Sequence, residues 1–347
     1  MIYLIDLLHP TEFHFFYPII KELEARGDKV ILTVRKEEVL IDLLDHSQLN
    51  YKIISKKAKN LPSLLFELIS RTIKLFKIAR SAKVDIFLGM STLSTSIVGK
   101  LLKKPTILIT ECEDMGPKTK LVFKLASMII TPKLFEKDLG KKHIKFNGLI
   151  QLNYLHPNYF TPDREIVEEL LNIDLDKEKY FILRFCDWKA SHDINQRGFS
   201  KEVKWEIIKN LSKIGRVYIL DEKKNSEFKD YNLEIPKNLM LNLLAFSSLT
   251  ITETTSVSIE SALLGVPVVR CTSLAETRKG GAAIFTELEK QGLVFSYSNE
   301  ILALKRINEI LEKKINKEYS QKKRDEFIKN FNPDIKRTII NLINSFE

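Results

Sequence analysis

The sequence predicts an α/β fold of two successive Rossmann-like units, each a parallel sheet covered by helices. Three observations lead there. Short apolar runs alternate with amphipathic helical segments along most of the chain, as parallel strands joined by crossover helices do. The length, 347 residues, exceeds one ordinary core and fits two domains. Finally, the alternation pauses near residues 145–160, in KFNGLIQLNYLHPNYFTPD, and then restarts. The expected domains are 1–154 and 155–330, with a C-terminal helix in 331–347 packing back on the first.

In order, MIYLID reads as a buried strand ending at a His-Pro loop, and PTEFHFFYPIIKELEARG as a helix closed by Gly27. DKVILTVR is a strand with apolar Val30, Ile31, Leu32 and Val34. Helix 37–46, a short strand at 51–54 and a helix at 62–81 follow. Strand DIFLGM, turn STLSTS, a helix to Lys103, strand TILIT and the acidic turn ECEDMG complete the first half. The second half reads as helix 163–172, strand YFILRF, loop CDWKASHDINQRGFS, helix 201–214 and strand RVYILD. Helix 238–246, strand LTITE, helix 256–264, strand VPVVRC and two C-terminal helical stretches close it. Ligands of such sheets bind beyond the carboxyl ends of the strands, so the loops there are searched for chemistry.

Composition narrows the class. Apolar residues are 44% and charged residues 29%, an ordinary globular balance. The start lacks a basic n-region and a cleavage site, and no apolar run approaches a membrane span. Cys112, Cys186 and Cys271 are too few and scattered for a disulfide framework. These features predict a cytoplasmic protein. The net charge of +10 is spread widely, without an aromatic-basic signature, so no nucleic-acid partner is expected. Neither HExxH nor paired CxxC occurs, and no metal is expected.

The most informative segment is LTITETTSVSIESALLGVPVV, residues 249–269. A strand ends at Glu253, and Thr254, Thr255 and Ser256 place hydroxyls beside the free N–H groups of a helix start, where the dipole favours a diphosphate. Glu260, one turn beyond Ser256, faces the same side and could accept both ribose hydroxyls. The bland alternative is an ordinary Ser/Thr cap with a solvated Glu. Arg184 interrupts the apolar run YFILRF, and its planar fork suits a diphosphate. The loop after it carries Asp187, Trp188, Ser191, His192 and Asp193, with Trp188 suited to packing on a base or sugar.

This spacing of strand, turn, helix, Glu and Gly-x-Pro resembles the UDP-holding segment of non-hydrolysing UDP-N-acetylglucosamine 2-epimerases. More loosely, it resembles that of the transferase completing lipid II. RCTSLAETRKGG resembles the next loop of the epimerases. The whole chain resembles an uncharacterised archaeal and bacterial family of predicted glycosyltransferases related to both. The marks are IDLLHPTEFHFFYPIIKELEARGDKVILTVR, LRFCDWKASHD and ETTSVSIESALLGVP. The resemblance implies a GT-B-like fold, two Rossmann-like domains facing across a cleft, and a nucleotide-sugar substrate without a separate cofactor. The epimerases carry Gly where this chain has Thr255 and Ser256, and their Gly-Thr-Arg-Pro-Glu opening is replaced by LLHPTE.

In the first half, LLHPTEFHF puts His9 at a strand end and Glu12 and His14 at a helix start. An acceptor hydroxyl must lose its proton, and His9 is the first choice of base; His14 reads as core. Glu111 and Glu113 follow strand TILIT, where mutual repulsion would raise a pKa; a solvated acidic turn is the alternative. Gly89, Ser91 and Thr92 form a third strand-end loop on the acceptor side. Helix 62–81 places Leu65, Leu68, Ile69, Phe76 and Ala79 on one side and Arg71, Lys74 and Arg80 on the other. That is either core packing with a basic solvated face or a docking surface for anionic lipid at the inner face of the membrane. The expected activity is sugar transfer from a nucleotide donor, UDP by expectation, to a glycan or lipid-linked acceptor in surface-glycan assembly. A 2-epimerase and a non-catalytic nucleotide-sugar or polyanion binder are the alternatives.

Overall fold

A computed structural model describes residues 1–56, 61–90, 92–111, 113, 116–186, 196–220, 226–275, 282–313 and 317–345. The chain divides into two compact units, Met1–Tyr154 with Asp334–Glu347, and Leu155–Pro333.

The first unit runs β1 (Ile2–Leu7), α1 (Pro10–Ala25), β2 (Lys29–Lys36), α2 (Glu38–His46), β3 (Tyr51–Lys56), α3 (Leu61–Ala82), β4 (Ile86–Gly89) and α4 (Leu93–Leu102). It continues with β5 (Thr106–Ile109), α5 (Pro117–Leu125), β6 (Met128–Pro132), β7 (His143–Phe146) and α6 (Leu152–Leu155), within which the division falls. Its seven strands are all parallel in the order β3-β2-β1-β4-β5-β6-β7, so the chain direction switches between β1 and β4. β6 and β7 extend the alternation beyond the strands read from sequence. Their apolar stretch, MIITP, is one short run between two lysine-rich segments, too brief to separate from a helix by periodicity.

The second unit runs α7 (Arg164–Leu171), β8 (Tyr180–Arg184), α8 (Lys201–Leu211), β9 (Arg216–Ile219), α9 (Met240–Phe246), β10 (Leu249–Thr252), α10 (Thr255–Leu263) and β11 (Val268–Cys271). It ends with α11 (Ala282–Lys290), β12 (Val294–Tyr297), α12 (Glu300–Lys313) and α13 (Lys317–Ile328). Its parallel sheet is ordered β12-β11-β10-β8-β9, and the switch lies between β8 and β10. These two orders are those of doubly wound folds.

Local chemistry sets the elements that carry the strand-end loops. His9 caps α1 by accepting from the Thr11 N–H, Pro10 opens the helix, and Gly27 takes φ +83° after its end. Gly265 ends α10 at φ +77°, and a Cβ there would come within 2.6 Å of Gln321 of α13, so two constraints exclude a side chain. The final helix, α14 (Ile335–Asn344), buries Ile335, Ile339, Ile340 and Ile343. Lys336 pairs with Glu22 at 2.9 Å and Arg26 donates to Asn344 at 3.0 Å, fixing α14 along α1.

The face of α3 differs from the sequence reading. Arg71 is buried rather than solvated, and donates to Asp6 at 2.5 Å, while Leu75 and Ala79 form the core face. Leu65 and Ile69, expected beside Ala79, point outward together with Phe66 and Ile73. Asp6 at the end of β1 selects this rotation: its carboxylate also accepts from Thr33 and Thr95, and an isolated buried carboxylate requires a cation. No described helix is long and apolar enough to cross a membrane.

Candidate functional site

At the carboxyl edge of the second sheet the switch point brings together the ends of β8 and β10. Thr252 lies in register with Arg184 on one side and Arg270 on the other, and Arg270 with Ser296. Side chains in register on a pleated sheet share a face, so these four form a polar row. Thr252 Oγ1 donates to the Arg184 carbonyl at 3.1 Å and accepts from the Thr254 N–H at 3.0 Å. Its hydroxyl also meets that of Thr254 at 2.9 Å. Thr254 is the N-cap of α10 but makes no side-chain capping bond, so its hydroxyl does not occupy the first-turn N–H groups. Ser256 lies in that turn, and Glu260, one turn on, is buried.

The arginine that reaches this helix start is Arg270. It is 2% exposed, its guanidinium lies 4.0 Å from the centre of the Phe285 ring, and Nη2 stands 3.5 Å from Thr255 Oγ1. Burial pulls its pKa down to about 10, with Glu289 opposing, so it stays charged at neutral pH. Arg184, the sequence's choice, donates instead to the Leu220 carbonyl beyond β9. An arginine breaking an apolar strand was the signal for Arg184, and the same signal in VPVVRC marks Arg270.

Glu253 has a different place from the hydroxyls beside it. Its carboxylate accepts from the N–H groups of Cys186 at 2.6 Å and Phe199 at 2.8 Å, with Lys204 at 3.4 Å. It thus ties both ends of the loop that follows β8. A Cβ on Gly198 would fall 2.2 Å from that carboxylate, so Gly is required there by close approach. Asp187, Trp188, Ser191, His192 and Asp193 lie outside the described residues, as does Ser91.

In the first unit the switch loops follow β1 and β4. His9 is exposed, and its Nδ1 accepts the Thr11 N–H at 3.3 Å. That cap occupies the basic lone pair, so a neutral ring in this geometry carries its proton on Nε2. Glu12 is buried and accepts the Leu8 N–H at 2.6 Å. Burial, reinforced by the Asp6 charge and opposed by Arg35 and Arg71, pushes its pKa up to about 8. His14 stacks on Tyr154 at 5.2 Å, and burial pulls it down to about 4, as a packed, neutral imidazole behaves. Gly89 ends β4, where a Cβ would meet Thr92 Oγ1 at an ordinary 3.6 Å. The Thr92 hydroxyl is itself buried without a partner among the described residues.

Glu111 and Glu113 have separate surroundings. The Glu111 carboxylate receives the Gln151 amide at 3.0 and 3.3 Å, and burial pushes its pKa up to about 7. The cause is burial and not the expected repulsion by Glu113. Glu113 is buried, accepts the Glu136 N–H at 2.7 Å, and its carbonyl takes Lys137 Nζ, so it braces the turn after β6. Gln151, which fixes the Glu111 carboxylate, carried no periodic or motif signal in the sequence. Among the described residues no group of three His, Cys, Asp or Glu side chains is arranged to hold a metal ion.

The family model described as "Protein of unknown function (DUF354)" matches residues 2–326. The chain belongs to the DUF354 family. This DUF354 chain is 25% identical over 277 residues to the Uncharacterized protein MJ0665 of Methanocaldococcus jannaschii, covering 77% of the chain and 80% of that protein. It superposes on the UDP-GlcNAc 2-epimerase of Neisseria meningitidis bound to UDP-GlcNAc with a TM-score of 0.65 at 15% identity, over 99% of this chain and 100% of the other. Against Acinetobacter baumannii MurG the TM-score is 0.58 at 13% identity, over 99% of this chain and 100% of MurG. Other glycosyltransferases are also among its structural neighbours. The fold of this DUF354 protein is therefore that of the GT-B glycosyltransferases and UDP-GlcNAc 2-epimerases, built from two Rossmann-like parallel-sheet units.

Proposed function

We propose that this protein is a glycosyltransferase that takes a sugar from a nucleoside diphosphate donor, UDP in our reading. The observation that carries the proposal is the start of α10. Backbone donors not capped by Thr254, the hydroxyls of Thr255 and Ser256, and the cation of Arg270 meet at the switch point of the second sheet. A helix N-terminus with a buried cation favours a phosphate group. Neighbours of the same fold bind UDP-GlcNAc or thymidine diphosphate, which supports a nucleotide-sugar as the ligand class. In this reading Glu260 takes the ribose hydroxyls.

The acceptor hydroxyl is assigned to the first unit. With the His9 lone pair engaged in the cap, Glu111 is the better base: a carboxyl raised to about 7 is largely able to exchange a proton near neutrality. Glu111 would take the hydroxyl proton as the acceptor oxygen bonds the sugar C1. The bond from C1 to the diphosphate oxygen then breaks, and its electron pair leaves with the diphosphate, whose charge the helix dipole and cation stabilise.

A lipid-linked acceptor fits the outward face of α3. Leu65, Phe66, Ile69 and Ile73 are exposed there, Phe66 to 74%, with Lys74, Lys77 and Arg80 also exposed further along. Exposed apolar side chains followed along one helix by cations suit an anionic lipid surface. Cosedimentation with phosphatidylglycerol vesicles, lost in Phe66→Ser, tests it; equal sedimentation of both proteins would remove lipid from the proposal.

One observation favours a 2-epimerase as the second reading: Glu12 and Glu111 are two carboxyls held protonatable near neutrality, as removal and return of a C2 proton would need. The deciding experiment is a calorimetric panel of UDP, GDP, CMP and TDP with their sugars, Glu260→Ala serving as control. The nucleotide sugar that binds is then incubated in D2O. Deuterium at C2 indicates epimerisation, whereas release of the nucleotide only with an acceptor indicates transfer. Binding of no nucleotide would sink both readings.

A further inference from the structure

The polar row at the edge of the second sheet contains a buried cation with few partners among the described residues. A guanidinium has five N–H donors, and burying them unpaired is costly. Among the described residues Arg270 makes a single long hydrogen bond, 3.5 Å to Thr255 Oγ1, and its Nε has no partner. No described carboxylate lies within ion-pair distance of it, while Phe285 covers one face of the guanidinium at 4.0 Å. The neighbouring Ser296 hydroxyl, in register on β12, is also buried without a partner among the described residues. Thr255 is the first residue of α10. The fork therefore meets a helix start that the Thr254 side chain does not cap.

We propose that Arg270 is a phosphate ligand, its Nε–H and an Nη–H gripping an oxygen of the donor diphosphate while the first turn of α10 holds another. This rests on the nucleotide-donor reading and adds to it the residue that reads the diphosphate. Phe285 holds the guanidinium plane fixed, so ligand binding requires little side-chain ordering. The cation explains why an arginine is kept in a strand whose other residues are apolar.

The test is calorimetric titration of the full chain, Arg270→Lys and Arg270→Met with UDP and with inorganic pyrophosphate, alongside thermal unfolding of each protein. We expect both ligands to bind about 10-fold more weakly to the Lys variant, which keeps charge but loses the fork, and about 100-fold more weakly to the Met variant. The Met variant should unfold at or above the wild-type temperature, because an apolar side chain replaces an unpaired buried charge. A structural arginine would give the reverse: a lower unfolding temperature with unchanged affinity in the Lys variant, which would overturn the proposal. Pyrophosphate binding that depends on Arg270, with no nucleotide bound, would keep this inference and remove the nucleotide reading. UDP binding equally to all three proteins would keep that reading and remove this inference. Failure of wild type to bind either ligand would remove both.

Discussion

At the carboxyl edge of the first sheet stand the buried acids Asp6 and Glu12 and the half-buried Glu111, whereas the second edge offers a guanidinium and a row of hydroxyls. The acid that the second edge does contain, Glu253, is spent on two backbone N–H groups and Lys204. The same parallel topology thus ends once in carboxyls, of which burial raises Glu12 and Glu111 toward neutrality, and once in groups whose chemistry suits an anion. The topology supplies strand ends and helix N-termini in both units. Which chemistry follows depends on whether the buried charge is satisfied internally, as in the Asp6–Arg71 pair, or keeps donors unmatched among the described residues, as at Arg270.

Several substitutions would break this contrast or sharpen it. The largest effect is expected at Glu111: Glu111→Gln should lower kcat by roughly 10²–10⁴-fold, the usual worth of a general base, with donor affinity unchanged by calorimetry. Wild-type turnover should rise with pH through about 7, because the base is the ionised form; a flat profile would remove Glu111 from the proton step. Next is Arg71→Met, which strands the Asp6 carboxylate and should cost about 3–5 kcal/mol in urea unfolding. The double variant with Asp6→Asn should recover most of it, since no unpaired charge remains. Gly198→Ala should cost about 2 kcal/mol by driving the Glu253 carboxylate off its two N–H partners, a cost that Glu253→Ala would already contain.

A smaller effect concerns pH. Glu12 has a folded pKa of about 8, above its value of 4.5 when unperturbed. The folded state therefore binds the extra proton between those values, and its contribution, complete below about 4.5, is lost as pH rises through about 8. Glu12→Gln should flatten that decline; an identical slope in wild type and variant would show that Glu12 does not cause it. The smallest change is expected from Phe66→Ser, within about 0.5 kcal/mol of wild type in stability, since the ring is exposed.

The alternation of apolar runs with helical segments was enough to read two parallel α/β units, because a strand buried on both faces must be apolar throughout and its crossover must be amphipathic. The loop after β10 was readable because hydroxyl residues at a helix start are a local pattern. Three things lay beyond the sequence. Helical spacing at residues 62–81 allowed two opposite rotations of α3, and only Asp6, a partner distant in sequence, turned Arg71 inward. Glu111 and Glu113 look alike in ECEDMG, yet Gln151 and the turn at Glu136 give them different work.

Arg184 and Arg270 break their strands in the same way, and the sequence does not rank them. The Leu220 carbonyl engages the first, while the second faces Thr255 with donors to spare. Periodicity, being a property of neighbours along the chain, determined the units and their strand-end loops. The use of each charged side chain depended on partners tens of residues away, and burial energetics make that choice only once the sheet has assembled.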